Sequence, residues 1–307
     1  EKIRGKEMYD LIVVRKLNKK KVAGLIIILI LLIVLSTITG IKIADYNEKK
    51  VYSQELQNQE IQLREEEERK QKEEEEKQKQ ILQEHIALTS VPLTDEQKDN
   101  ILHIYRSTGE KRVFLTFDDG PTKTVTPLIL DVLKQEDVKA TFFVLGNNVK
   151  NNPDLVKRAF EEGHYIANHG YSHKYSEVYA TPEATLNEYN VTEQAIRDAL
   201  GNQSYCSRVF RFPGGSNGGY YNEKKQASKA LLKENGVVHL DWNSLSKDAE
   251  GANTKEVLLQ NIIDTMGEKD SVVILMHDAS DKILTYEMLP DLISMLKEKG
   301  YKFETIY

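Results

Sequence analysis

Cysteine is nearly absent from this 307-residue chain. Cys206 stands alone, so no intramolecular disulfide can close, and no second thiol exists for a cysteine-rich zinc site or a dithiol redox pair. Excess positive charge is missing as well. The 42 Lys and Arg face 48 Asp and Glu, and a formal charge of −6 argues against a general nucleic-acid binder. Two local absences then divide the chain. No charge occurs from Val22 to Ile41, a run about long enough to cross a bilayer core as a helix. No apolar residue occurs between Leu63 and Ile81, where a coiled coil would need them at a and d.

The uncharged run reads as an uncleaved transmembrane anchor. A secretory signal peptide is the rival, but its apolar core should be shorter, and Ser36-Thr37-Ile38-Thr39-Gly40 is a poor cleavage site. Arg15, Lys16, Lys19, Lys20 and Lys21 precede it, so positive charge should stay cytoplasmic and the rest of the chain should face outside. From Asp45 to about Thr89 the chain is mostly Glu, Gln, Lys and Arg. Acids lie four before bases at Glu65/Arg69, Glu66/Lys70, Glu68/Lys72, Glu73/Lys77 and Glu75/Lys79, the favoured helical orientation. A solvated single helix or loose self-association fits this stalk, at about 1.5 Å per residue, and disorder is the alternative. The expected organisation is a cytoplasmic segment 1–21, an anchor 22–41, a charged stalk 42–90, a linker 91–110 and a catalytic-sized domain 111–307.

Within the last segment, β-branched and aromatic runs alternate with helical patterns. Strands are expected at Arg112–Phe117, Ala140–Val144, His164–Ala167, Arg208–Phe212, Val237–Leu240 and Val272–Met276. Helices are expected near Pro127–Gln135, Asp154–Glu162, Pro182–Leu200, Glu223–Asn235, Lys255–Met266 and Tyr286–Lys299. The alternation implies an α/β domain of parallel strands and crossover helices, either a barrel or an open doubly wound sheet. Polar residues follow the strands directly: Asp118 and Asp119, His169 and His173, Pro213 and Gly214, Asp241 and Trp242, His277 and Asp278. In parallel folds those carboxyl ends form one rim, so residues distant in sequence should meet there.

Two histidines four apart, His169 and His173, can face one metal if their segment makes a helical turn. A carboxylate from the same rim completes a set of two His and one Asp, leaving positions open for water and substrate. Asp118 and Asp119 leave a strand in different directions, so one can bind metal while its neighbour stays free as a base.

Thr116-Phe117-Asp118-Asp119-Gly120, His169-x-x-x-His173, Arg211-Phe212-Pro213, Asp241-Trp242 and Leu275-Met276-His277 occur in the order of five motifs. In this the chain resembles the polysaccharide deacetylase (NodB-homology) family, carbohydrate esterase family 4, over roughly Arg112 to Tyr307. The resemblance implies a distorted (β/α) barrel and one divalent metal, commonly zinc, with cobalt, nickel, manganese or iron as alternatives. It implies that Asp119, His169 and His173 bind the metal, that Asp118 is the base and that His277 is the acid. It also pairs Arg211 with Asp118 and Asp241 with His277, keeping the base ionised and the imidazole charged. Tyrosine commonly follows the proline of the third motif, whereas this chain has Gly214. Gly214 can still offer a backbone N–H to an oxyanion, and Trp242, Tyr220 or Tyr221 would then have to stack on the sugar. Leu275 is expected to line the acetyl pocket.

The activity implied is removal of N-acetyl groups from N-acetylglucosamine residues of a cell-wall glycan, peptidoglycan in the first place, outside the cytoplasmic membrane. Chitin-like oligomers, poly-N-acetylglucosamine and acetylated xylan are alternative substrates. A non-catalytic wall-binding module and an iron oxygenase are the competing classes. His85, His103, His164, His239 and Cys206 read as structural or solvated, and Asp248 as a loop acid that could shape the rim.

Overall fold

The computed structural model describes the backbone of residues 2–306 and the side chains of residues 19–306. The chain divides into two compact units, 1–77 and 78–307. Helix α1 (Lys2–Thr89) makes up the whole described part of the first and contributes its last turns to the second. From Val22 to Ile41 its large apolar side chains are all exposed, a surface that water penalises at roughly 25 cal/mol per Å². The helix is long and apolar enough to cross a membrane. The side chains of Arg15 and Lys16, expected to flank the span, lie outside the described residues. Further along, Glu66 pairs with Lys70 at 2.7 Å, while Arg69 turns forward to Glu73 at 3.8 Å. Exposed pairs of this kind are worth only about 0.3–0.5 kcal/mol each.

In the second unit the end of α1 is part of the folded body. Leu82 packs against the core, the His85 ring lies 4.4 Å from that of Phe160, and Cys206 N–H donates to the Thr89 carbonyl at 2.9 Å. The segment 91–110, expected as a linker, is packed too. Thr94 and Gln97 form a capping box that starts α2 (Asp95–Leu102), and Leu93, Ile101 and Ile104 are buried.

The sheet elements follow as β1 (Arg112–Asp118), α3 (Thr126–Gln135), β2 (Thr141–Val144), α4 (Gly146–Asn151), α5 (Pro153–Glu161), β3 (Tyr165–Asn168), α6 (Tyr175–Val178) and α7 (Pro182–Leu200). The second half holds β4 (Val209–Phe210), α8 (Asn222–Glu234), β5 (Val238–His239), β6 (Ser244–Leu245), α9 (Lys255–Met266), β7 (Ser271–His277), α10 (Ile283–Glu298) and β8 (Lys302–Phe303). All strand pairs are parallel, in the order β5-β4-β3-β2-β1-β7-β6, with β8 beside the start of β1. The two-residue strands β6 and β8, and the short helices α4 and α6, were not among the expected elements.

Strand periodicity decides what faces inward. On β1, Val113, Leu115 and Phe117 pack with α3, α9 and α10 residues, while Phe114 belongs to a second cluster with Phe143, Tyr165 and Val273. Thr116 and Asp118 share the Phe114 side, and Leu275 and His277 share the Val273 side of β7. The register sets Asp118 directly beside His277.

The curled sheet does not close into a full barrel, because β5 and β6 do not pair. The Leu240 and Asp241 carbonyls between them instead accept from the buried Arg211 guanidinium, at 3.1 Å from Nε and 3.0 Å from Nη2. A half-barrel open at that seam is the result.

Candidate active site

A cleft of about 340 Å³ lies at the carboxyl ends of the strands. Asp118, Asp119, His169, His173, Gly214, Trp242, Leu275 and His277 all line it, although they come from five separate parts of the chain. Asp118 ends β1 with 2% exposure. Its Oδ1 accepts from Arg211 Nη1 at 2.8 Å, and the same nitrogen donates to Thr116 Oγ1 at 2.7 Å. Burial pushes the Asp118 carboxyl up, against the lowering pull of Arg211 and His277. Arg211 was expected to keep this acid ionised; it moderates the burial effect without cancelling it. A carboxylate with raised pKa is the stronger proton acceptor.

Asp119 has φ 76°, in the left-handed region, and both acids approach His169, whose Nε2 lies 3.7 Å from Asp118 Oδ2. His169 Nε2 and His173 Nε2 lie 3.6 and 3.4 Å from Asp119 Oδ1. The two histidines are not on a helical turn. They sit in a loop in which Gly170 (φ 83°) and His173 (φ 57°) are both left-handed. Glu188 of α7 holds that loop by accepting from the N–H groups of Tyr171 and Ser172 at 2.6 and 2.7 Å. His169 Nδ1 lies 2.8 Å from the Arg211 carbonyl, an obligate acceptor, so Nδ1 carries the proton and the Nε2 lone pair faces Asp119. Burial lowers the His169 pKa to about 3, which keeps the ring in its neutral, ligating form.

Beside Asp118, the expected partner of His277 is replaced. The Asp248 carboxylate accepts from His277 N–H and meets Nδ1, both at 2.8 Å, and is itself held by Thr285 Oγ1 at 2.8 Å. Burial alone would lower the His277 pKa. The Asp248 hydrogen bond and charge outweigh it, Asp118 and Asp119 add to them, and the value stands at about 9. Asp241, the residue expected there, turns the other way. Its carboxylate accepts from Ser216 N–H at 2.9 Å and Ser216 Oγ at 2.6 Å, so it braces the 213–216 loop that presents Gly214.

Three comparisons bear on this arrangement. A family model described as polysaccharide deacetylase matches residues 105–236. The putative polysaccharide deacetylase YheN of Bacillus subtilis is 38% identical over 208 residues, covering 66% of this chain and 69% of that protein. The chain belongs to the polysaccharide deacetylase family. A solved relative, a carbohydrate esterase family 4 enzyme from Streptococcus mutans, superposes with a TM-score of 0.61 at 32% identity, over 70% of this chain and 91% of that one. The peptidoglycan-N-acetylglucosamine deacetylase PgdA of Listeria monocytogenes is 37% identical over 200 residues, 64% of this chain; the match spans only 38% of that longer protein.

Polysaccharide deacetylases of this family are metalloenzymes, and the donor set of this member fits a metal. The ligand atoms of Asp119, His169 and His173 lie within 4.8 Å of one another. Asp119 Oδ1 is buried without a hydrogen-bond partner. Its 3.4–3.6 Å spacing from the two imidazole nitrogens matches the roughly 3.4 Å edge of a tetrahedron with bonds of about 2.1 Å.

Not every expected residue joins the cleft. Tyr220 is 94% exposed and does not line it, and Arg211 and Asp241 act from behind it. Leu275 and Trp242 are at the wall. Three participants had no distinguishing sequence signal: Glu188, which holds the histidine loop, and Tyr175 and Leu245, which line the cleft.

Proposed function

We propose that this chain is a metal-dependent hydrolase that removes N-acetyl groups from N-acetylglucosamine residues of a cell-wall polysaccharide, peptidoglycan in the first place. The observation that carries this reading is the meeting of Asp118, Asp119, His169, His173 and His277 in one cleft at the strand ends. Asp119, His169 and His173 would hold a divalent cation, zinc by preference for this N/O donor set. Bound there, such a cation supplies Lewis acidity, which polarises the acetyl carbonyl and acidifies a water.

The chain's own residues do the rest. Asp118, oriented by Arg211, takes the proton of the attacking water as its oxygen bonds to the acetyl carbon. In this reading the N–H of Gly214 donates to the oxyanion that forms and Leu275 packs against the acetyl methyl; both residues line the cleft. His277, cationic through Asp248, gives a proton to the sugar nitrogen as the C–N bond breaks, leaving acetate and a free amine. General acid–base assistance of this type contributes typically about 10²–10⁴-fold.

Peptidoglycan is favoured by the relatives that carry that substrate in their names and by the apolar run 22–41, read as a single-pass anchor in the cytoplasmic membrane. In this reading residues 1–21 are cytoplasmic, the charged helix from 42 is a spacer and the catalytic unit lies outside. The test is acetate release by the detergent-solubilised full chain from N-acetylglucosamine oligomers, peptidoglycan and acetylated xylan, with and without chelator. Chelator-sensitive release from peptidoglycan is expected. Release that persists after the metal has been stripped rejects the metal-dependent mechanism, and activity confined to acetylated xylan rejects the amide substrate.

A further inference from the structure

Tyr175 opens α6 two residues after His173, and its ring stands 5.6 Å from the His173 imidazole in the wall of the cleft. It is 40% exposed. Across from it is Gly214, whose φ of 70° already favours glycine. A Cβ built there would lie 2.4 Å from the Tyr175 hydroxyl oxygen. The phenol therefore fills the volume that a side chain at residue 214 would need. Among the described residues, nothing hydrogen-bonds the Tyr175 hydroxyl.

The neighbouring tyrosines are used differently. Tyr179 is fully buried, and its hydroxyl donates to the Pro213 carbonyl at 2.7 Å. The Tyr221 ring packs 5.5 Å from Tyr179 and 6.4 Å from Tyr175. With His173 they pack around the Tyr175 ring, which stays part-exposed in the wall of the cleft. A rigid apolar face with an uncommitted polar tip suits a pyranose, which offers a C–H face and a rim of hydroxyls.

We propose that Tyr175 is a substrate-contacting residue, with its ring against a sugar face and its hydroxyl bonded to a sugar polar group, in space that Gly214 leaves vacant. This rests on the glycan deacetylase reading, and its test is built to fail separately. Trp242 is the single tryptophan of the chain and lines the same cleft, so its fluorescence reports occupancy without turnover. The probe is the N-acetylglucosamine tetramer, titrated into the full chain in detergent. Tyr175→Ala is expected to raise both the dissociation constant and KM about tenfold with kcat within about threefold and metal content unchanged. Tyr175→Phe, which keeps the ring, is expected to raise them about threefold or less. Parental affinity in Tyr175→Ala overturns the inference. So does a loss of affinity that comes with loss of metal, which would make Tyr175 a support for His173. A parent that binds the tetramer but releases no acetate sinks the deacetylase reading alone, and the fluorescence difference still decides Tyr175.

Discussion

His169 and His277 are the same side chain lining one cleft, and burial lowers both, yet their partners drive them in opposite directions. His169 gives its Nδ1 proton to the neutral carbonyl of Arg211, and desolvation takes its pKa down to about 3. His277 meets the Asp248 carboxylate with the same atom, and although desolvation pulls against it, its pKa rises to about 9. The atom behind the ring decides the job. A neutral acceptor leaves a lone pair for a metal, and an anionic one makes a proton donor.

The largest effects should come from the carboxylates that set the two sides apart. Asp119→Asn is expected to abolish metal binding, read by metal analysis of the purified chain. Asp118→Asn should keep the metal and lose about 10³-fold in kcat. Equal metal loss in both variants would erase the division between ligand and base.

Asp248→Asn comes next, with kcat down about 10²-fold and metal retained. As the proposed acid, His277 has to be protonated, so the parent should lose activity as pH rises through its pKa, with a bound dication placing that limb below 9. In Asp248→Asn the limb should move further toward acid. Stability carries the same sign. A raised histidine stabilises the fold fully below its unfolded pKa of about 6.5, and the contribution, on the order of 3 kcal/mol, disappears as pH climbs through about 9. The metal-free parent should thus lose thermal midpoint across that window more steeply than Asp248→Asn. Parallel pH curves for the two would refute the pairing.

The smallest effect is expected on the ligand side. Glu188→Gln removes the charge that gathers the Tyr171 and Ser172 N–H groups and should weaken metal affinity about tenfold while leaving the pH limb in place. A shifted limb with parental affinity would show that the two walls are not independent.

Much of the domain was legible because its central strands are β-branched and aromatic runs with an acid or imidazole at the end. Asp118, Asp119, His169, His173 and His277 could therefore be named in advance. Asp241 misled because the resemblance paired it with His277 and it stands just past β5, one residue after Leu240. Choosing Asp248 requires knowing that Leu245 pairs with Leu275, which brings residue 248 to His277, and β6 is two residues long with no periodicity to betray it. The spacing of His169 and His173 suggested a helical turn, but Gly170 and His173 adopt left-handed backbone, and a distant glutamate on α7 secures the result. Tyr220 and Tyr175 were indistinguishable as tyrosines in polar surroundings. Only the fold places one in the cleft and the other in solvent.

The last turns of α1 have a practical consequence. Leu82 and His85 are fastened to the body of the enzyme, and so are Leu93 and Ile101 after them. A protease that nicks the chain near Lys77 would release the catalytic unit whole, and under the proposed single-pass anchoring that unit would be free to diffuse. One that nicks at Ser90 would tear away part of the core and leave a crippled fragment, so where shedding occurs determines whether it spreads the activity or ends it.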